Sequence, residues 1–136
     1  MNGQQKRAWL ILAAAILAGL GYLFLGLAIN FQTALAALAI LGLVGFTPLI
    51  GRGEKWDERD KAINRRAALA AGMASYLAFV LGCMGAWFVV YLGKGEQQVS
   101  VHLLPHITML GGIVLYAVWS ITILILYGRH VEPDHA

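Results

Sequence analysis

The stretch GRGEKWDERDKAINRR, residues 51–66, decides the fold, because it holds ten of the seventeen charged residues of the chain (ten Lys and Arg, seven Asp and Glu). Long apolar sequences lie on both sides of it. Placing one such charge at the centre of a bilayer costs about 3 kcal/mol, so burying the whole stretch would cost on the order of 30 kcal/mol. The stretch therefore lies in water or among lipid headgroups, and it separates two hydrophobic hairpins.

The composition is typical of an integral membrane protein. Of the 136 residues, 60% are hydrophobic and 12% are charged, far from the averages of soluble domains. The net charge of +3 does not indicate direct binding of nucleic acid, since the basic residues flank apolar segments and form no separate basic face. Cys83 is the single cysteine, so it forms no intramolecular disulfide and does not reveal the compartment.

Four apolar segments predict an all-α membrane protein, a single domain over 1–136 folded as a four-transmembrane-helix antiparallel bundle of two helical hairpins. We expect the spans at residues 8–29, 33–50, 67–92 and 106–127. The first has no ionisable side chain and, at about 1.5 Å per residue, is long enough to cross a bilayer. A cleaved signal peptide also begins with basic residues, but its apolar part is shorter and a polar mature domain follows it.

Local signals refine the ends and faces of these helices. Thr33 is placed to cap the second helix through its hydroxyl, and Pro48 removes a hydrogen bond to the Val44 carbonyl in its last turn. The third helix is expected to start near Trp56 and to enter the membrane without a break. Small residues predict a close-packing stripe on the third helix, and polar residues predict an inward face on the fourth. The stripe is Ala70, Ala74, Ala78, Gly82 and Ala86; the inward face is Thr108, Gly112, Tyr116 and Ser120.

The distribution of Lys and Arg predicts the orientation. Lys6 and Arg7 precede the first span, six basic residues lie within 51–66, and Arg129 follows the fourth span, whereas Lys94 stands alone on the other side. Positive residues accumulate on the cytoplasmic side of membrane proteins. We therefore expect a multi-pass protein of a bacterial inner (plasma) membrane, with both termini and the charged loop in the cytoplasm.

Residues that could support catalysis or hold a cofactor are scarce. The predicted spans contain no Asp, Glu, Lys or Arg, and no serine lies in a Gly-x-Ser-x-Gly turn. His102 and His106 are four residues apart, as two metal ligands on a helix would be, but Pro105 lies between them and His130 and His135 belong to the opposite side. We expect no enzyme activity and no cofactor. For the outer histidine pair two interpretations stay open, a metal site and an ordinary polar loop.

Two stretches of the second half carry a family resemblance. The first is WDERDKAI from Trp56 to Ile63, which contains a D-E-R-x-x-x-I pattern; the second is SITILILYGR from Ser120 to Arg129, with its L-Y-G-R end. With Leu104-Pro105 before Gly111-Gly112, they resemble a bacterial family of small uncharacterised four-helix integral membrane proteins. Such proteins resemble products encoded beside small helix-turn-helix repressors. The resemblance implies membrane-linked regulation and supplies no catalytic residue.

Two classes of function remain open. In the first, the protein is a non-catalytic regulatory or accessory module whose charged loop binds a cytoplasmic regulator, another membrane-complex partner or lipid headgroups. In the second, it is an oligomeric small transporter, channel or immunity-type factor, and the stripe of the third helix is an interface between copies instead of an internal seam. The charges could also serve only to keep the loop in water and to set the topology. The predicted partner-binding residues are Trp56, Asp57, Glu58, Arg59, Asp60 and Arg65.

Overall fold

A computed structural model describes residues 3–30, 32–49, 57–94 and 103–128, and over these residues the chain is helical and contains no strand. Helix α1 is Gly3–Ala28, α2 is the short turn Leu38–Leu41, α3 is Glu58–Lys94 and α4 is Leu103–Gly128. The turn α2 lies between two 3₁₀ helices, Thr33–Ala37 and Gly42–Leu49. The prediction of an all-α protein is confirmed for the described residues.

Three helices are long and apolar enough to cross a membrane: α1, α4 and the part of α3 up to Gly93. At the rise of an α-helix, α1 and α4 are each about 39 Å long, and α3, with 37 residues, is about 55 Å long. The hydrocarbon core measures about 30 Å, so α3 extends well beyond it. The prediction that the third helix is unbroken from the charged loop through the third apolar segment is confirmed from Glu58 onward; Trp56 lies outside the described residues.

The second apolar segment, 33–49, differs from the single α-helix expected over 33–50. Only four of its residues are α-helical, and the two 3₁₀ pieces hold five and eight residues. Because a 3₁₀ helix rises about 2.0 Å per residue, the segment is about 32 Å long, where an α-helix would measure about 26 Å. Pro48 has no amide hydrogen to give to Val44, and the Thr47 hydroxyl donates to that carbonyl at 2.7 Å instead.

The segment starts at a different cap from the one predicted. The carboxamide oxygen of Asn30 accepts hydrogen bonds from both the backbone N–H and the hydroxyl of Thr33, each at 2.7 Å. The prediction that Thr33 supplies the cap is therefore wrong, since its hydroxyl is a donor here. At the other hairpin, α4 begins at Leu103 instead of His106, and Pro105 sits in the first helical turn, where an amide hydrogen would have no partner in the helix.

Contacts between the segments set their directions. Near one end of the bundle Ala8 of α1 packs with Ile63 of α3 and Ile123 of α4. Towards the other end Tyr22 of α1 contacts His106 of α4. Thus α1 and α3 run parallel to each other, and α4 runs antiparallel to both and packs against both. The segment 33–49 returns along α1, because a Cβ built on Gly21 lies 3.5 Å from Ala37 near its start, while Thr47 near its end shares a cavity with Ile11.

Candidate contact site at the charged end of the bundle

Helix α3 begins at a side-chain cap supplied by the charged loop. Asp57 stands just before the helix, and its Oδ1 accepts a hydrogen bond from the backbone N–H of Asp60 at 2.7 Å. This is the arrangement of an N-cap residue satisfying the third amide of a helix. Glu58 and Asp60 place negative charge in the first turn, where it interacts favourably with the helix dipole. One predicted partner-binding residue, Asp57, therefore has a structural role at the start of the helix.

Asp60 faces into the protein, unlike its charged neighbours. Its side chain is 8% exposed, and its Oδ1 accepts a hydrogen bond from the hydroxyl of Tyr127 at the end of α4. A buried carboxylate is costly unless it is hydrogen-bonded, and bonds to an ionised group are stronger than neutral ones. The contact therefore joins the start of α3 to the end of α4, and Asp60 is not available on the surface for a partner.

A second hydrogen bond lies one helical turn further along α3. Trp119 of α4 donates from its indole Nε1 to the Oδ1 of Asn64 at 3.1 Å. Asp60 and Asn64 are four residues apart on one helix, and Trp119 and Tyr127 are eight apart on the other, so each pair shares a face. We call these four residues the interhelical clasp.

An apolar cluster surrounds the clasp and adds α1 to the contact. Its buried members are Ala8, Ile63, Ala67, Ile123 and Tyr127, with Trp119, Leu124 and Leu126 packed against them. Ile63 and Ala67 lie on the same face as Asp60 and Asn64, because they follow at intervals of three and four residues. The charged start of α3 is therefore attached to α4 by hydrogen bonds and packing, and it shares an apolar cluster with α1.

The opposite face of the same turns is exposed and carries most of the charge. Of the six predicted partner-binding residues, Asp57, Glu58, Arg59 and Arg65 are exposed, Asp60 is buried, and Trp56 lies outside the described residues. The predicted set omitted Lys61 and Arg66, which are also exposed. It also omitted the clasp residues Asn64, Trp119 and Tyr127. A period of three to four residues in Asp60, Ile63, Asn64 and Ala67 could have indicated the inward face.

The predicted inward face of α4 is correct only in part. Ser120 is fully buried, but its hydroxyl donates to the Tyr116 carbonyl of its own helix at 2.8 Å. Thr108 is exposed and likewise bonds within α4, to Leu104. A hydroxyl in a helix can bond to the carbonyl four residues earlier, so it does not need a partner on a neighbouring helix. A serine hydroxyl that does bond between helices is that of Ser75 in α3, which donates to the Gly111 carbonyl at 2.9 Å.

Cavities lie between the helices in the part of the chain that the structure describes, and two of them border α1 and α4. One of about 330 Å³ is bordered by all four segments, among them Ile11, Thr47, Ala68 and Tyr116. Another of about 240 Å³ lies between α1 and α4, beside the Tyr22 hydroxyl, which is 2.9 Å from the Nδ1 of His106. The walls of both are almost entirely apolar. Neither has the set of converging polar groups that fixes a small polar substrate.

The histidines do not assemble into a metal centre within the part of the chain that the structure describes. His106 is the one histidine in that part, and no group of three His, Cys, Asp or Glu residues there could hold an ion. His102, His130 and His135 lie outside it, so the hypothesis of a metal at the outer pair stays untested.

Residues 4–130 match a protein family described as predicted membrane protein (DUF2178). The matched range includes all the helical segments, the charged stretch and the interhelical clasp. No curated protein and no solved structure matches the chain. Since the family covers nearly the whole length and three helices are suited to crossing a bilayer, the chain belongs to this family of membrane proteins.

Proposed function

We propose that this protein is a non-catalytic regulatory or accessory protein of a bacterial plasma membrane, and that the exposed face at the start of α3 is its contact site. The observation that carries the proposal is the division of one helix into two faces. Asp60 and Asn64 attach it to α4, while Glu58, Arg59 and Arg65 are exposed. A charged surface held in one orientation by a buried clasp is suited to specific contact, because less side-chain and backbone entropy is lost on binding.

The contact role is tested by crosslinking and mild-detergent purification from the native membrane. The variant carries Glu58→Ala, Arg59→Ala and Arg65→Ala, which leaves the cap at Asp57 and the clasp at Asp60 intact. The matched control is Leu69→Ala, an exposed apolar position one turn further along α3. Wild type and control should retain the same bound protein or lipid, and the triple variant should lose it. Identical bound molecules in all three would exclude this face as the contact site.

The same proposal includes four spans with both termini in the cytoplasm. Segment 33–49 returns along α1 over a length of about 32 Å, close to the thickness of the hydrocarbon core, which supports a second crossing. The second crossing is tested with a membrane-impermeant thiol reagent on two single variants, Gln32→Cys and Arg52→Cys, each made after Cys83→Ser. The cysteine at 32 should react from outside the cell, and that at 52 only after permeabilisation. Reaction of both from the same side would make the segment re-entrant.

An open groove between α3 and α4 favours the alternative of an oligomeric transporter, channel or immunity-type factor. The groove has a volume of about 450 Å³, and Gly72, Ser75 and Gly112 are among the residues that line it. Small residues let a helix of another copy approach closely in a membrane. Solute flux through liposomes containing the purified protein, measured against empty vesicles, separates this alternative from the contact role; flux equal to that of empty vesicles removes it.

A further inference from the structure

We infer that the exposed face at the start of α3, together with Lys6 of α1, is a binding site for the anionic headgroups of phospholipids. This inference rests on the proposed contact role of that face and names what binds there. It follows from how the fold buries one acidic side chain and leaves all four basic side chains of residues 57–66 exposed, which the sequence alone does not show.

One of the three acidic residues of this region, Asp60, is buried within the protein. Residues 57–66 contain three acids and four bases, so the stretch is nearly balanced in sequence. One carboxylate oxygen of Asp57 accepts the hydrogen bond of the helix cap, and Asp60 is buried against Tyr127. Glu58 is the one acid of the stretch that is exposed and has no hydrogen bond from its side chain among the described residues. Because Asp57 and Glu58 are exposed and Asp60 is buried, the exposed side chains of residues 57–66 carry two negative charges against four positive ones.

The basic residues are all exposed. They are Arg59, Lys61, Arg65 and Arg66, and among the described residues none of them forms an ion pair or a side-chain hydrogen bond. Arg59 and Arg66 are two turns apart on one flank of the buried face, while Lys61 and Arg65 are one turn apart on the other. The four cations therefore lie on both sides of the helix over a length of about 10 Å.

Lys6 extends the cationic surface from α3 to α1. It is exposed and lies two residues before Ala8, which packs against Ile63 and Ala67 at the same end of the bundle. The surface therefore has five exposed cations on two parallel helices. We call these residues the basic collar: Lys6, Arg59, Lys61, Arg65 and Arg66.

The position of the collar favours headgroups over a soluble protein as its partner. Leu69, about one turn beyond Arg65 and Arg66, is 60% exposed, and Trp9, one turn beyond Lys6, is 54% exposed. Exposed Leu suits the hydrocarbon and Trp suits the membrane interface, so these residues mark the level where the acyl chains begin. Arg65 and Arg66 are therefore at the depth of the phosphates, with which guanidinium groups form paired hydrogen bonds. Lys61 and Arg59 lie further out but within about one Debye length, where they still attract an anionic surface.

Lipid selectivity in reconstituted bilayers tests the inference directly. The full-length protein is placed in phosphatidylcholine membranes with a trace of spin-labelled phosphatidylglycerol or spin-labelled phosphatidylcholine, and the fraction of each lipid immobilised at the protein is measured. A basic residue near an anionic surface is worth about 1 kcal/mol, or about fivefold in affinity. We expect wild type to prefer phosphatidylglycerol at least about fivefold. The preference for phosphatidylglycerol over phosphatidylcholine should fall close to one in a variant that combines Arg59→Gln, Lys61→Gln, Arg65→Gln and Arg66→Gln.

Four controls make the result specific. A variant that keeps the charge should keep most of the preference; it combines Arg59→Lys, Arg65→Lys and Arg66→Lys. The substitution Lys94→Gln, at the far end of α3, should not change the preference. Raising the salt to about 0.5 M should reduce the preference, because screening weakens exposed charge contacts. Inorganic phosphate at millimolar concentration should not displace the lipid; complete displacement would assign the site to free phosphate and overturn the inference. All four substituted side chains are exposed, so unchanged helix content by circular dichroism is expected for every variant.

Besides displacement by phosphate, two outcomes overturn the inference, and the crosslinking experiment decides what they mean for the proposed contact role. If wild type shows no preference, or if the four-glutamine variant keeps it, the collar is not a headgroup site. If in addition the Glu58, Arg59 and Arg65 variant loses a soluble protein in the crosslinking experiment, the contact role stands and the face belongs to a protein partner. If neither lipid nor protein depends on the face, both proposals fail together.

Discussion

Removing the hydroxyl of Tyr127 should destabilise the bundle by about 2 kcal/mol. Tyr127→Phe keeps the ring in the apolar cluster, where Tyr127 is 8% exposed, but leaves the buried carboxylate of Asp60 without its donor from α4. A hydrogen bond to a charged group contributes about 1.5–3 kcal/mol net, and a buried partner left unpaired costs a similar amount. The expected loss therefore lies in the upper part of what single hydrogen bonds contribute.

The magnitude can be measured by unfolding the protein in mixed micelles with increasing sodium dodecyl sulfate, followed by circular dichroism. A double-mutant cycle with Asp60→Ala isolates the pair, and we expect a coupling of about 1.5–3 kcal/mol. Ser120→Ala is the matched control, because Ser120 is also buried but bonds only within α4; it should change the free energy by less than about 0.5 kcal/mol. A loss below about 0.5 kcal/mol for Tyr127→Phe, or no coupling in the cycle, would refute the clasp.

Two further predictions concern the packing of α3 on α4 and use the same unfolding assay. Gly82→Ala should destabilise the bundle by about 1 kcal/mol, because its new Cβ would lie 3.2 Å from Ile107 and force the side chains apart. At the control position Gly85 a new Cβ has nothing within 4 Å, so Gly85→Ala should stabilise α3 by up to about 1 kcal/mol. A stabilising effect at both positions would contradict the close approach of α3 and α4 at Gly82. Ser75→Ala should lower the free energy of unfolding by about 0.6 kcal/mol, the average for interhelical hydrogen bonds in membranes, because the bond to the Gly111 carbonyl is lost. Equal stability of variant and wild type would show that this hydroxyl does not bond to Gly111.

The helical class and the long helices were predictable because they depend on local composition. A run of about twenty apolar residues has few alternatives in a bilayer, since each backbone polar group must be bonded within the segment. The continuity of α3 through the charged stretch was predictable for a related reason. From Glu58 to Ala71 it contains neither proline nor glycine, and its apolar positions recur at helical intervals.

The path of segment 33–49 was not predictable from its Ala- and Leu-rich sequence, which favours an α-helix. The contacts that accompany its 3₁₀ form are the close approach to α1 at Gly21 and the bond from Thr47 to Val44. The cap at Asn30 was missed because Asn and Thr both cap helices, and which one does so depends on the turn geometry.

The candidate site was predicted in part, for reasons that depend on distance along the chain. A cluster of charges is visible in any sequence, so Glu58, Arg59 and Arg65 were identified. The partner of Asp60 is 67 residues away, at Tyr127, and no local pattern joins them. The location of the charged region was therefore predictable from the sequence, whereas its inward and outward side chains can be distinguished only in the folded structure.

The place of α4 between α1 and α3 has a consequence for biosynthesis. The ribosome delivers the chain from its amino end, so both neighbours of α4 emerge and insert before it does. Until it arrives, Asp60 and Asn64 lack the donors that pair with them in the finished bundle, and the faces of α1 and α3 that contact α4 lack that partner. Assembly is therefore completed by the last of the described helices to be translated, and a chain arrested before Leu103 would leave the carboxylate of Asp60 in water without the donor from Tyr127.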